Sequence, residues 1–570
     1  MHRLDPLATV AIFAAVFVLF LAATRIADYR KRRAQLRGLH DSWGQPLRRD
    51  RGDRPLDART GAGPRPGCDR LDDATWADLD MARVFTRIDR TLSSVGAQTL
   101  HRMLRFPLLE PDAIGRRRAL VVASAADPAA RVRMQRALLE LGDAHGWEAW
   151  FAVAGALPIL PGPVWLLRLL PPASVAVLAT GVVLSRPELV ITGLALVFAL
   201  PLVHTLANRR IAHHLEAIAD VRRVLDVATM LRTAATPDLR RVLDDVVERL
   251  PALRRAFGRR ISVPRPGGMG DVLGVAGEYS KAFGLTELVR YQQACRAIAR
   301  HRDELERVLD VVGEIDAALS IACLHAHEEE LREADVDPSA PGLSASGLRH
   351  PLVVDAVGNG VELGPRGLLV TGSNMAGKST LLRAIGINAV LAQAIGLVAA
   401  DRWRARPLRV ATAMGAHDDL AAGVSLYRAE VERIRGLVEQ SDGEHLFLLD
   451  EAFRGTNPHE RIAASAAVLR RLARQDLVVA ATHDRELCDL LQDVFALGFF
   501  TEQVVGDDVE FDYTLRPGVL QTTNAIALLE RTGFPAALVA EARRIAARGE
   551  PLPSPDDVVE VTSPPSGLVP

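Results

Sequence analysis

The spacing of apolar and polar positions changes along the chain and divides it into regions of distinct texture. Residues 7–23 (LATVAIFAAVFVLFLAA) form an uncharged apolar run. Residues 71–149 show helical periodicity with polar faces. Residues 150–207 are strongly apolar, and residues 208–335 are helical again, with charged faces such as HRDELERVLDVVGEIDAAL at 301–319. From about residue 350 short apolar runs alternate with helical stretches: GLLVTG at 367–372, HLFLLD at 445–450 and DLVVAATH at 476–483. Apolar runs this short, separated by helices, predict a parallel sheet covered on both faces. The expected class is therefore α + α/β, multidomain, with a helical part ahead of an α/β part.

Two of the apolar regions are long enough to meet a bilayer. The run 7–23 sits near the short limit for a span, and the basic residues Arg25, Arg30, Lys31, Arg32, Arg33 and Arg37 follow it. That flank predicts an uncleaved anchor within residues 1–25 whose carboxyl side faces the cytoplasm. Residues 26–70 are basic, then rich in Gly and Pro, and are expected to be a linker. The region 150–207 predicts a transmembrane hairpin from Leu169–Ser185 and Leu189–Leu206, joined by Arg186-Pro187-Glu188 and closed by Arg209 and Arg210. The expected location is a multi-pass cell-membrane protein with its α/β domain in the cytoplasm. The rival reading is two buried core helices.

Composition narrows the picture. The chain has 570 residues, 69 basic and 70 acidic, so no overall positive charge marks it for nucleic acid. Its four cysteines are scattered, which excludes a disulfide framework or a CxxC zinc site as the organising feature. Only Lys31, Lys281 and Lys378 are lysines, in a chain that otherwise uses arginine.

One of those lysines completes a motif. Gly372-Ser373-Asn374-Met375-Ala376-Gly377-Lys378-Ser379, continued by Thr380, fits G-x-x-x-x-G-K-[ST] between an apolar strand and a helix. In such a loop backbone N–H groups curl round phosphate oxygens, a lysine reaches the β- and γ-phosphates, and the serine hydroxyl faces Mg²⁺. The expected cofactors are ATP and Mg²⁺. The strand ending in Asp450-Glu451 supplies the second half: Asp450 for the metal, with Ser379, and Glu451 to activate water. His483, at the end of a third strand, is a candidate γ-phosphate sensor.

Together these segments resemble the MutS family of mismatch-repair ATPases. VTGSNMAGKSTLLRAIG (370–386) is similar to its TGPNMxGKST loop, with Asn374 and Met375 as the family-specific part. MGAHDDLAAGVSLYRAEV (414–431), LLDEAFRGTNPHE (448–460), ATHDREL (481–487) and FDYTLRPGVLQTTNAIALLERTGFP (511–535) resemble its further motifs in order. Residues 75–121 resemble the start of its core, or lever, domain. The resemblance implies a lever region at 71–149 and 208–340 with the hairpin inserted, an ABC-like P-loop ATPase domain at 341–548, and a tail at 549–570. It also implies that Ser425 reaches the γ-phosphate bound by a partner subunit, giving a homodimer with composite sites. Asp418 and Asp419 match the acidic pair of the same segment. Arg454, Gly455 and Thr456 match the loop bridging the two sites, and His483 matches the switch histidine.

There are departures. Ser373 replaces a proline and Ala452-Phe453 replaces Leu-Gly. The aromatic residue that would stack on adenine is not evident near Asn359–Val361. About 50 residues lie between the first apolar run and the core, too few for the family's mismatch-reading domain. The expected function is a membrane-anchored ATPase engaging mismatched or branched DNA in a repair-type clamp. The alternative is an ATP-driven membrane switch acting on an unknown protein partner without DNA.

Overall fold

The computed structural model describes residues 67–142, 145–155, 157–158, 163–257, 285–373, 376–415, 426–505, 508–519 and 533–548, with a few positions between 38 and 57. The apolar run 7–23 and the tail 549–570 lie outside them. A helical region, Asp73 to His327, precedes a mixed α/β region.

The α/β region is organised by a six-stranded sheet. Its strands are β1 (Gly367–Thr371), β2 (Arg409–Ala413), β3 (His445–Asp450), β4 (Leu477–Thr482), β5 (Phe495–Phe499) and β6 (Arg516–Pro517). They run in the order β6-β5-β1-β4-β3-β2, all parallel except the edge strand β6. Alternate residues face opposite sides. Val370, Leu446, Leu448 and Val479 join one core, and Leu369, Phe447, Leu449 and Val478 join the other. Burial on both faces is why these strands read as unbroken apolar runs. Thr482 pairs with Thr371, and Ala481 with Asp450, so the carboxyl ends of β1, β4 and β3 finish side by side.

The first of these cores continues into the helical region. Leu79, the cap residue of the helix Asp73–Asp78, and Met81, Val84 and Phe85 of the helix Met81–Ile88 pack with Leu382, Ile385 and Leu448. Asp72 caps the first helix by accepting the Thr75 amide at 2.7 Å. A separate core lies further along the helices, built from Ala149, Trp150, Val153, Ile218, Val221, Leu225 and their partners. The helix Ala149–Ala154 therefore belongs to the helical core, and the exposed apolar hairpin begins only at Val164.

That hairpin consists of Val164–Val183 and the first part of Pro187–Ala234, a single helix of 48 residues. Both are long and apolar enough to cross a membrane, and little of either apolar stretch is buried. Trp165, Leu169, Val183, Ile191, Phe198 and Leu202 all point outward. The two helices touch through small residues: a Cβ on Gly193 would lie 2.6 Å from the Leu178 backbone, and one on Gly181 would lie 2.6 Å from Val190 N. From Ile211 onward the long helix turns amphipathic and buries Ile218, Val221, Val224, Leu225, Ala228 and Leu231. It runs unbroken where the charge pattern suggested a boundary near 207, because no proline or glycine follows Pro201 before the helix ends.

Candidate functional site

The carboxyl edge of the sheet gathers the motif residues. Gly377 has φ +109° and precedes the helix Lys378–Ala394, so a left-handed residue starts that helix and aims its amino end at the loop. Lys378 is buried. Its ammonium donates to Gly372 O at 2.8 Å and Ser373 O at 2.9 Å, and stands 3.4 Å from His483 Nε2. The lysine charge is thus held inside the loop's own curl, at the strand ends.

Ser379 and Asp450 meet directly. The Ser379 hydroxyl donates to Asp450 Oδ2 at 2.5 Å. Asp450 is buried and, among the described residues, its other oxygen, Oδ1, has no hydrogen-bond partner. A buried carboxylate oxygen left unpaired is costly unless a cation or a donor meets it. A hydroxyl and an orphaned carboxylate oxygen, both hard, are the donor set that suits Mg²⁺.

Glu451 follows in strained backbone, at φ +53°, with its amide donating to Ala481 O at 2.9 Å. Its Oε1 lies 2.5 Å from His483 Nε2, and its Oε2 lies 2.9 Å from Arg454 Nε. The His483 hydrogen bond, with help from the Arg454 and Lys378 charges, holds the Glu451 carboxyl below the ordinary glutamate range despite its partial burial. It is a carboxylate at neutral pH. Behind it Phe453 is also left-handed, at φ +64°, and its amide donates to Glu430 Oε1 at 2.6 Å. Asp484 next to His483 is paired with Arg461 at 2.7 Å, which fixes the end of β4.

A cleft of about 520 Å³ opens beside Asp450, lined among others by Asp78, Glu430, Arg433, Arg454 and Gly455. On the other flank of the loop stands Tyr513. The residue is 46 % exposed, its backbone is left-handed at φ +50°, and its ring lies 3.3 Å from where a Cβ on Gly377 would be. Asn359 holds that turn: its side-chain amide donates to Tyr513 O at 3.0 Å and accepts the Leu515 amide at 2.7 Å.

The MutS domain V family matches residues 368–549. The DNA mismatch repair protein MutS of Nitrobacter hamburgensis is 26 % identical over 551 residues, covering 84 % of this chain and 60 % of that protein. The DNA mismatch repair protein MutS of Natronomonas pharaonis is 31 % identical over 266 residues, 44 % of this chain and 30 % of that protein. Residues 368–549 thus match MutS domain V, and the chain is similar to MutS proteins over most of its own length. It spans less than two thirds of the length of these relatives.

Within the region that matches MutS domain V, Lys378, Ser379, Asp450, Glu451 and His483 converge at the ends of three adjacent strands. Arg454 joins them through Glu451. Asn374, Met375, Asp418, Asp419 and Ser425 lie outside the described residues. The motif reading singled out neither Glu430 nor Tyr513. Glu430 lies in the quoted segment 414–431, and its role shows only once the turn at Phe453 is built. Tyr513 is distant in sequence from the expected position near Asn359, yet Asn359 is the residue that holds it.

Proposed function

We propose that this chain is a Mg²⁺-dependent ATP hydrolase built on an ABC-like P-loop domain. The observation that carries the reading is the junction of Lys378, Ser379, Asp450, Glu451 and His483. The loop amides and Lys378 would neutralise phosphate charge. Ser379 and Asp450 would hold the metal, whose chemistry is to offset charge on the phosphate oxygens. Glu451, kept ionised by His483 and Arg454, would orient and deprotonate water. Tyr513 offers a ring face beside the loop for the base. A dimer with composite sites completed by Ser425 follows from the family resemblance.

The hairpin supports a membrane setting. Its apolar side chains point outward, while its helix–helix contact is made by glycines, the arrangement favoured where lipid removes any hydrophobic drive between helices. The hydroxyls of Ser174, Thr192 and Thr205 donate back to the carbonyls of Pro171, Glu188 and Pro201, each at 2.7 Å, which pairs these three within their own helices. This supports the cell membrane, with the ATPase domain in the cytoplasm and lipid meeting residues 169–206 as well as 7–23. A chain lacking residues 1–25 should still resist alkaline extraction from membranes. Its release would refute the hairpin as a membrane element.

The named relatives are DNA mismatch repair proteins, so DNA is the first partner to test. The exposed hairpin favours the second reading, a membrane switch that moves a protein partner. ATP turnover of the full chain in detergent, with and without duplex, mismatched and branched DNA, separates them. Stimulation by DNA that Lys378→Ala abolishes supports the repair-type reading. DNA-indifferent turnover leaves the switch. Absence of any turnover sensitive to Lys378→Ala would sink both.

A further inference from the structure

The hydrolytic turn is tied to the helical region through one short helix. Leu426–Gln440 carries Glu430 and, about one turn on, Arg433. Glu430 takes the Phe453 amide at 2.6 Å and the Arg454 amide at 3.4 Å, immediately after Glu451. Arg433 faces the other way. Its Nη2 reaches Asp72 Oδ1 and Oδ2 at 3.1 and 3.0 Å and Thr75 Oγ1 at 2.8 Å. Its Nε donates to Thr412 O at 2.8 Å, at the carboxyl end of β2.

Asp72 and Thr75 belong to the start of the first lever helix, 361 and 358 positions away in the chain. A second tie runs parallel to this one. Thr412 donates to Asp78 Oδ2 at 2.6 Å, and the Met414 amide donates to the same oxygen at 3.1 Å. The guanidinium fork is thus spent on three backbone-anchored points: a helix cap, a first-turn hydroxyl and a strand-end carbonyl. Such a fork fixes direction in a way that a point charge cannot.

We propose that Arg433 is a positioning residue for hydrolysis, transmitting the placement of the lever's first helix through Glu430 to the turn that carries Glu451. This rests on the reading of the chain as an ATPase with Glu451 as its base. Two non-glycine residues of that turn, Glu451 and Phe453, hold left-handed backbone, so the turn keeps its shape only while its surroundings hold it. Glu430 supplies that hold, and Arg433 fixes the helix from which Glu430 projects. The Arg433–Asp72 pair is partly exposed, at 25 % and 39 % of the side chain, so it contributes little to stability. Its effect is expected in the rate.

The test is steady-state ATP turnover of the full detergent-purified chain for wild type, Lys378→Ala, Arg433→Gln, Asp72→Asn and the double variant Asp72→Asn/Arg433→Gln, with melting curves alongside. Misplacement of a catalytic turn costs roughly ten- to a hundredfold in rate. The expected result is therefore a fall of about tenfold in kcat for Arg433→Gln, with KM for ATP changed less than about twofold. The double variant should be no slower than the slower single. Should Arg433→Gln melt early, Arg433→Lys, which keeps the charge and loses the fork, reads the same split. An unchanged kcat, a KM that rises in step with the fall in kcat, or a fully additive double variant overturns the positioning role alone. A wild-type chain with no turnover that Lys378→Ala removes overturns the ATPase reading, and this role with it.

Discussion

Two regions of the molecule each bury an aspartate, and they treat it in opposite ways. In the helical region Asp316 is fully buried, with one oxygen accepting the Leu92 amide at 2.9 Å and the other accepting the Ser93 amide at 2.8 Å and the Ser93 hydroxyl at 2.5 Å. Three donors saturate it, and it joins the loop before the helix Ser94–Arg105 to the helix Arg302–His327. At the carboxyl edge of the sheet Asp450 receives one hydroxyl and, among the described residues, leaves Oδ1 buried and unpaired. A carboxylate whose lone pairs are met by the chain itself is a fastener. One whose lone pairs are left over is a site, because the fold carries a desolvation cost that only a ligand relieves.

Replacing each aspartate by alanine breaks this comparison or sharpens it. Asp450→Ala should lower ATP turnover by about 10²- to 10³-fold, the range typical for one preorganised polar group at a reacting centre. The same variant should melt no lower than wild type, since an orphaned buried oxygen is removed. Asp316→Ala should do the reverse. It strands two amides and a hydroxyl in the helical core, at a cost of about 3 kcal/mol in stability. Turnover per folded molecule should stay close to wild type. Thermal melting and turnover on the same preparations read both effects. If Asp450→Ala proves the more destabilising of the two, the distinction between fastener and site is wrong.

Much of the site was legible because the chemistry lies at the ends of buried strands. Runs such as HLFLLD and DLVVAATH are apolar on both faces, so Asp450 and His483 stand out where each run stops. Lys378 stands out in a chain almost devoid of lysine. What local pattern could not show is pairing over long separations. Arg433 reads as one charge on an exposed helical face, and Asp72 as a helix cap. Their meeting depends on how the helix Asp73–Asp78 lies against β2. Tyr513 was hidden for the same reason: the turn that presents it is pinned by Asn359, 154 positions earlier. The hairpin was legible as apolar length, but its start was not. Trp150 and Val153 are as apolar as Trp165 and Leu166, and only packing separates the buried pair from the exposed one.

The smallest effects should appear in pH dependence, where two carboxyls move in opposite directions. Burial raises Asp316 to about 6, above the roughly 3.9 of an unfolded chain. Between those values the folded state keeps a proton that the unfolded state has lost. Stability contributed there is present at low pH and drains away as pH rises from about 4 to about 6. Asp316→Asn, which cannot titrate, should remove that part of the slope from the melting profile. Glu451 moves downward, chiefly through its His483 hydrogen bond. Its ionised form is therefore kept to lower pH than an ordinary glutamate, and the acid limb of turnover should lie below about 4.3. His483→Ala removes the largest cause and should move that limb upward. The shape of the profile is read separately from its height, so a lower plateau from losing the histidine does not obscure the shift. A limb that stays in place when His483 is removed would mean that the proton belongs to another group, and Glu451 would lose its assignment as the base.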